Sequence, residues 1–230
     1  MKSFQDLQEG LNDPNIFKAF FLAGGPGSGK SYVVRKTTGG TGLQIVNSDD
    51  AFEKYLKIAG LSKKMPASEE KPRDIERARA KKVTKARQKG YVEGRLGLII
   101  DGTGKDYDKI AKQSIQLRQL GYDTHMIFVN TSLDVALERN AKRSRSVPES
   151  IAVRSWKDVQ SNIGKFSQHF RQNFIVVDNN DSSKDDGQVF NDVFKQIRGL
   201  LKKKVTSPIA KQWVMQQMKD RGITKAPKGF

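Results

Sequence analysis

The 230-residue chain carries 42 Lys and Arg against 25 Asp and Glu, a formal net charge of +17, with 36% hydrophobic residues and no cysteine. At ~150 residues per domain this argues for one large domain or one domain with appendages, apolar enough for one core, which argues against wholesale disorder; the missing thiols exclude disulfides, cysteine nucleophiles and thiolate metal sites. The excess of cations favours a polyanionic partner or substrate, the two histidines, His125 and His169, lack the spacing of a zinc site, and no apolar run approaches the ~20 residues that cross a membrane.

Residues 1–15 are acidic and polar, lack the apolar stretch of a signal peptide, and read as a lead-in to a main domain over 16–200. The first predicted strand, 17–23, is nearly all apolar. It runs into Gly24-Gly25-Pro26-Gly27-Ser28-Gly29-Lys30-Ser31, which matches the P-loop pattern G-x-x-x-x-G-K-[ST] at every fixed position. A predicted helix over Lys30–Lys36 supplies the required context of strand before and helix after. Glycines let the backbone wrap closely and turn its N–H groups inward, and the helix start adds partial positive charge. Gly25, Pro26, Gly27, Ser28 and Gly29 are therefore expected to cradle a nucleotide's phosphates, with Lys30 reaching the β- and γ-phosphates and Ser31 holding Mg²⁺.

The second strand, 43–46, leads into Asn47-Ser48-Asp49-Asp50 and a helix over 50–59. Residues just past the carboxyl ends of strands line the ligand crevice of a doubly wound sheet. Asp49 is accordingly the expected general base, and Asp50 the expected helix cap. Leu61–Arg73, with two prolines, reads as an exposed loop. A helix over 75–88 follows, inside the stretch 71–95 that holds ten Lys or Arg against three Asp or Glu. Such a field binds phosphate backbones. The third strand, 96–100, ends at Asp101-Gly102-Thr103-Gly104; Asp101 is the expected carboxylate on the metal side, against the competing reading of a turn aspartate before glycine.

A helix over 106–120 closed by Gly121, a strand over 124–129 and a helix over 132–143 capped by Ser132 come next. Arg139-Asn140-Ala141-Lys142-Arg143-Ser144-Arg145 gathers four cations, with Arg139 and Arg143 on one helical face. Val147-Pro148 should break that helix and Ser150 should cap the next, 150–172. The charged helix–loop–helix over about 139–150 suits a lid closing on phosphates. A fifth strand, 174–177, precedes a basic tail, 201–230, with Lys202, Lys203, Lys204 and a helix through Trp213 and Met218 that either docks on the core or stays mobile. The whole alternation predicts an α/β fold, a doubly wound parallel sheet of about five strands.

Taken together, Gly25–Ser31, Asn47–Asp50, Asp101-Gly102-Thr103 and Arg139–Arg143 with Val147-Pro148 resemble the phage polynucleotide 5′-hydroxyl kinase family over roughly residues 16–180. The layout is similar, less closely, to zeta-toxin-type kinases. The resemblance implies that Asp49 is the catalytic aspartate, Lys30 and Ser31 the phosphate and metal residues, Arg143 the lid arginine and Arg139 a second basic lid position. It implies ATP and Mg²⁺ as cofactors. With the basic stretch it points to a DNA or RNA hydroxyl as acceptor, and to a cytoplasmic location, the host's if a phage encodes the chain.

The chain departs from that pattern where Phe52 stands in place of a substrate-side arginine and Gly102-Thr103 in place of Thr-Asn; it also lacks an Asp-x-Asp-x-Thr phosphatase signature. Two alternatives stay open: a kinase acting on a nucleotide sugar or other small molecule, and a nucleic-acid-binding ATPase. Tyr91, Phe52 and Tyr55 are expected in the core rather than stacked on bases, His125 is expected to be structural, and His169 shows no partner.

Overall fold

Successive apolar residues in Lys18–Ala23 (β1) find cover on both faces of a sheet. Ala19, Phe21 and Ala23 point into one hydrophobic layer, Phe20 and Leu22 into the other. The computed structural model describes residues 10–64, 66–143, 146–180, 186–226 and 230. With β2 (Gln44–Val46), β3 (Leu98–Asp101), β4 (Asp123–Asn130) and β5 (Phe174–Asp178), β1 forms one parallel sheet in the order β2-β3-β1-β4-β5. β1 pairs with β3 through Ala19↔Leu98 to Leu22↔Asp101, and with β4 through Lys18↔Asp123 to Ala23↔Phe128. The strand that feeds the glycine loop is thus central, and the crevice opens at the carboxyl ends of its neighbours.

The helices are α1 (Lys30–Thr38), α2 (Asp49–Ile58), α3 (Glu70–Glu93), α4 (Tyr107–Gln119), α5 (Leu133–Ala141), α6 (Glu149–Ser161), α7 (Ile163–Phe170), α8 (Asp186–Lys202) and α9 (Pro208–Asp220). One layer gathers Ile110 and Leu117 of α4, Phe166 and Phe170 of α7, and Ala210 and Val214 of α9. The opposite layer holds Val33 and Val34 of α1 with Val193 and Ile197 of α8. Phe20 and Phe21 are almost wholly buried between them, so truncating either to Ala should cost ~3–5 kcal/mol.

Several predicted boundaries shift for identifiable reasons. Helix α3 starts at Glu70, inside the segment read as a loop, because Pro72 falls in the first turn, where a missing N–H costs no helical hydrogen bond. The helix predicted over 150–172 is two, α6 and α7. Between them Asn162 turns inward and donates through Nδ2 to Gly104 O (3.1 Å) and Lys105 O (3.0 Å). Ser150 does not cap: α6 begins at Glu149 after Pro148, with no side-chain cap. Helix α8 fills the stretch between the predicted fifth strand and the basic tail, where no element is predicted.

The tail helix α9 docks, its Trp213 meeting Phe17 edge-on at 5.5 Å. Gly121, at φ +97°, makes room for this: a Cβ there would come within 2.9 Å of the Ala210 backbone nitrogen. His125 is structural, stacked on Phe20 at 4.7 Å with neither ring nitrogen hydrogen-bonded. Burial pushes it down to about 3, assisted by the cations of Lys18, Lys203 and Arg118. His169 does have a partner, the Ser114 hydroxyl 3.0 Å from its Nε2.

Candidate active site

The loop between β1 and α1 is held by residues far from it in sequence. Gly27, at φ +80°, runs so close to α5 that a Cβ would overlap the Ala136 carbonyl oxygen. The Ser28 carbonyl accepts from Asn179 Nδ2 at 2.8 Å and from Thr131 Oγ1 at 3.2 Å. Ser28 Oγ itself is buried without a hydrogen-bond partner. Asn179 and Thr131 follow β5 and β4, so two strand ends strap the loop. Trp156 of α6 donates to Thr131 O at 2.7 Å and covers Gly25.

Lys30, at the first position of α1, lies back over the loop and donates to Gly24 O (2.5 Å) and Gly25 O (3.2 Å). Burial lowers its pKa; Asp101 and Asp49 oppose that shift, and Arg143 adds to it. Those couplings put Lys30, Asp49, Asp101 and Arg143 in one electrostatic neighbourhood. Ser31 follows on the exposed side of the helix start.

The two carboxylates expected at the strand ends are linked through Asn47. Its Nδ2 donates to Asp101 Oδ2 at 2.9 Å, while its Oδ1 accepts from the Asp49 backbone N–H at 2.7 Å. Burial raises the Asp101 pKa, Lys30 works against that rise, and Asp49 and Asp50 add to it. Asp50 is not a cap: Ser48 occupies that position, and Asp50 lies exposed in the first turn of α2.

Sequence reasoning missed Arg77. This residue of α3 donates through Nη1 to Asp49 Oδ1 at 2.7 Å and lays its guanidinium 4.5 Å from the centre of the buried Phe52 ring. The position after the Asp-Asp pair that lacks an arginine therefore supports one from another helix. Arg77 was one cation among ten in its stretch, with no local signal to single it out.

The lid residues are placed differently from expectation. Arg139 is in the last turn of α5 and donates to Asn179 O at 2.6 Å, against the helix that follows the glycine loop. Arg143 lies beyond the C-cap, Lys142, so the two arginines do not share a helical face. Ser144 and Arg145 lie outside the described residues. The base of the segment is pinned by buried Asn140, which donates to Val147 O at 2.8 Å and accepts from Val147 N at 3.2 Å.

The family model for zeta toxin matches residues 5–186, so of the two resemblances the zeta-type one has direct support. No curated protein matches the chain in sequence. A candidate kinase of Chloroflexus aurantiacus superposes with a TM-score of 0.55 at 16% identity, covering 79% of this chain and 97% of its own. A chain of the AvrRxo1-ORF1:-ORF2 complex, in a structure with ATP, gives 0.55 at 13%, over 76% of this chain and 60% of its own. A chain of the Pnkp1/Rnl/Hen1 RNA repair complex gives 0.50 at 20%, over 66% and 47%. These likenesses show the fold, the five-stranded parallel α/β sheet of P-loop kinases.

Proposed function

Because the chain belongs to the zeta toxin family, we propose that it is an ATP-dependent kinase whose γ-phosphoryl acceptor is a hydroxyl on a nucleic acid. The observation that carries this reading is the Asn47-centred pair of carboxylates, Asp49 and Asp101, beside Lys30 at the mouth of the glycine loop. Asp49 takes the proton from the acceptor hydroxyl as that oxygen bonds to the γ-phosphorus and the bond to ADP breaks. Gly25, Pro26, Gly27, Ser28 and Gly29 cradle the phosphates, and Lys30 leaves its carbonyl partners to reach them. Arg143, with Arg139 behind it, neutralises charge on the transferring group. Arg77 orients Asp49 and offers the remaining edge of its guanidinium to the acceptor.

Mg²⁺ fits the donors present. The Ser31 hydroxyl and the Asp101 carboxylate are hard oxygens at the loop mouth, and Mg²⁺ takes one or two protein ligands alongside substrate phosphates and water. When bound, the ion would offset the negative charge of the phosphates. Asp101 is suited to such a partner because an adjacent cation favours the charged carboxylate, against the burial that raises its pKa.

The acceptor class rests on charge. Helix α3 leaves Lys81, Lys82 and Lys85 exposed, without an ion pair to another described residue. A second reading, a nucleotide sugar or other small molecule, has its own support in family membership and in a cleft of about 850 Å³ beside the Asp101 loop, whose lining mixes the cations Lys105, Arg154 and Lys165 with the carboxylates Asp106, Asp108 and Asp158. Incubating the protein with γ-labelled ATP and separate pools of 5′-hydroxyl DNA, 5′-hydroxyl RNA and nucleotide sugars separates the readings. Label on a polynucleotide is the expected result. Label on a sugar nucleotide selects the second reading, and label released only as inorganic phosphate makes the protein an ATPase.

A further inference from the structure

At the far end of α3 from Arg77 a groove of about 700 Å³ opens between that helix and α9. Arg87, Gly90 and Tyr91 form one wall, and Trp213, Gln217 and Arg221 the other. Nothing in the proposed phosphoryl chemistry uses it. We infer that this groove is a second binding site for single-stranded nucleic acid, holding the acceptor strand several nucleotides away from the reacting hydroxyl. The inference rests on the nucleic-acid reading above and adds to it where the strand runs.

Arg77, Ala80, Thr84, Arg87 and Tyr91 recur at three- and four-residue intervals, so one side of α3 joins Asp49 to the groove; its middle, Ala80 and Thr84, packs inward, and the open path runs beside it. From residue 77 to 90 the helix advances about 20 Å at ~1.5 Å per residue. At ~3.4 Å per stacked nucleotide that is about six nucleotides. Exposed Lys81 and Lys85, flanking that side of the helix, supply positive charge along the interval, as a phosphate backbone requires.

The groove combines what single-strand sites combine, cations beside aromatic rings. Arg221 donates to Gln217 Oε1 at 3.2 Å along the rim. Behind the wall Arg95 lies 5.7 Å over the Trp213 ring, its Nε buried without a partner, adding a second cation to the aromatic side. The one acid lining the groove, Glu93, is met by Lys89 at 3.7 Å. Gly90 is the telling residue. Glycine weakens a helix relative to alanine, yet a Cβ at Gly90 would meet nothing within 4 Å. Packing does not require glycine there, and its effect is to leave the groove wall open to a nucleobase.

The test uses oligothymidylates of three and twelve nucleotides with 5′-hydroxyl ends, and two variants, Arg87→Glu and Gly90→Leu. In the unaltered protein the twelve-mer should show a KM at least ~10-fold below that of the trimer, because only it spans the ~20 Å to the groove. Each variant should erase that gain while leaving kcat and KM for the trimer unchanged. Binding of a fluorescent twelve-mer, followed by anisotropy without ATP, should weaken in both variants; for Arg87→Glu the salt slope should fall by ~0.7 or more. Gly90→Leu should unfold at a temperature no lower than the unaltered protein, so lost affinity there is not lost fold. A length-dependent gain or binding that survives both variants overturns the groove. Groove-dependent binding of the twelve-mer with no transfer to either oligonucleotide sustains the groove and instead sinks the acceptor assignment.

Discussion

Replacing Asp49 with Asn removes a proton acceptor while keeping its shape, and the surroundings of the residue set what should follow. Its backbone N–H stays on Asn47 Oδ1 at 2.7 Å, so the start of α2 is unchanged. The lost ion pair with Arg77 joins side chains that are 40% and 35% exposed, and exposed pairs contribute only ~0–1 kcal/mol. Stability should therefore fall by no more than ~1 kcal/mol. A positioned general base accounts for about 10²–10⁴ in rate. For a loose phosphoryl transition state orientation of the hydroxyl weighs more than early proton removal, so the lower half applies, about 10²–10³, or ~3–4 kcal/mol of barrier. Single-turnover transfer of labelled phosphate measures this directly. Asp50→Asn is the control: exposed in the first turn of α2, it should cost ~0.3–1 kcal/mol through the helix dipole and leave transfer nearly intact. If Asp50 proves essential and Asp49 dispensable, the assignment of the pair is reversed. If neither matters, the hydroxyl-kinase mechanism fails.

Lys30→Ala should abolish most turnover and weaken ATP binding, measured by calorimetry, with the melting temperature retained, because Lys30 is a half-buried cation whose hydrogen bonds among the described residues are to two loop carbonyls. Asp101→Asn should raise the melting temperature while lowering activity: its folded-state pKa is raised by burial, so its ionisation at neutral pH opposes folding, and that stability, present below the unfolded pKa, is lost as pH rises through the folded one. His125 gives the opposite sign. Its folded pKa, about 3, lies below the ordinary value of 6.5, so the unfolded chain binds the proton first and stability falls as pH drops through that window, by about 2 kcal/mol at pH 5. Urea unfolding at pH 7 and pH 5 should show this loss, and His125→Leu should flatten it.

Some of this molecule is written locally in the chain. The glycine loop, Lys30 and Ser31 form one contiguous run whose strand-before, helix-after context fixes its geometry, and β1 reads as doubly covered because Phe20 and Phe21 stand side by side and each needs a layer of its own. Asp49 and Asp101 could be placed beside that loop because the ends of parallel strands share one edge of the sheet. Other features depend on pairings that local propensity does not encode. Arg77 reaches Asp49 across 28 residues, and Asn179 reaches Ser28 across 151. A cation among many and an asparagine after a strand carry no periodicity or cap to mark them. Helix α9 was ambiguous for the same reason: Trp213 gains its cover from Phe17, near the other end of the chain, through a gap that Gly121 leaves open. The strand order, with β1 between β3 and β4, was likewise decided by packing, since every strand here is apolar enough to be central and only the closing of both hydrophobic layers selects which one is.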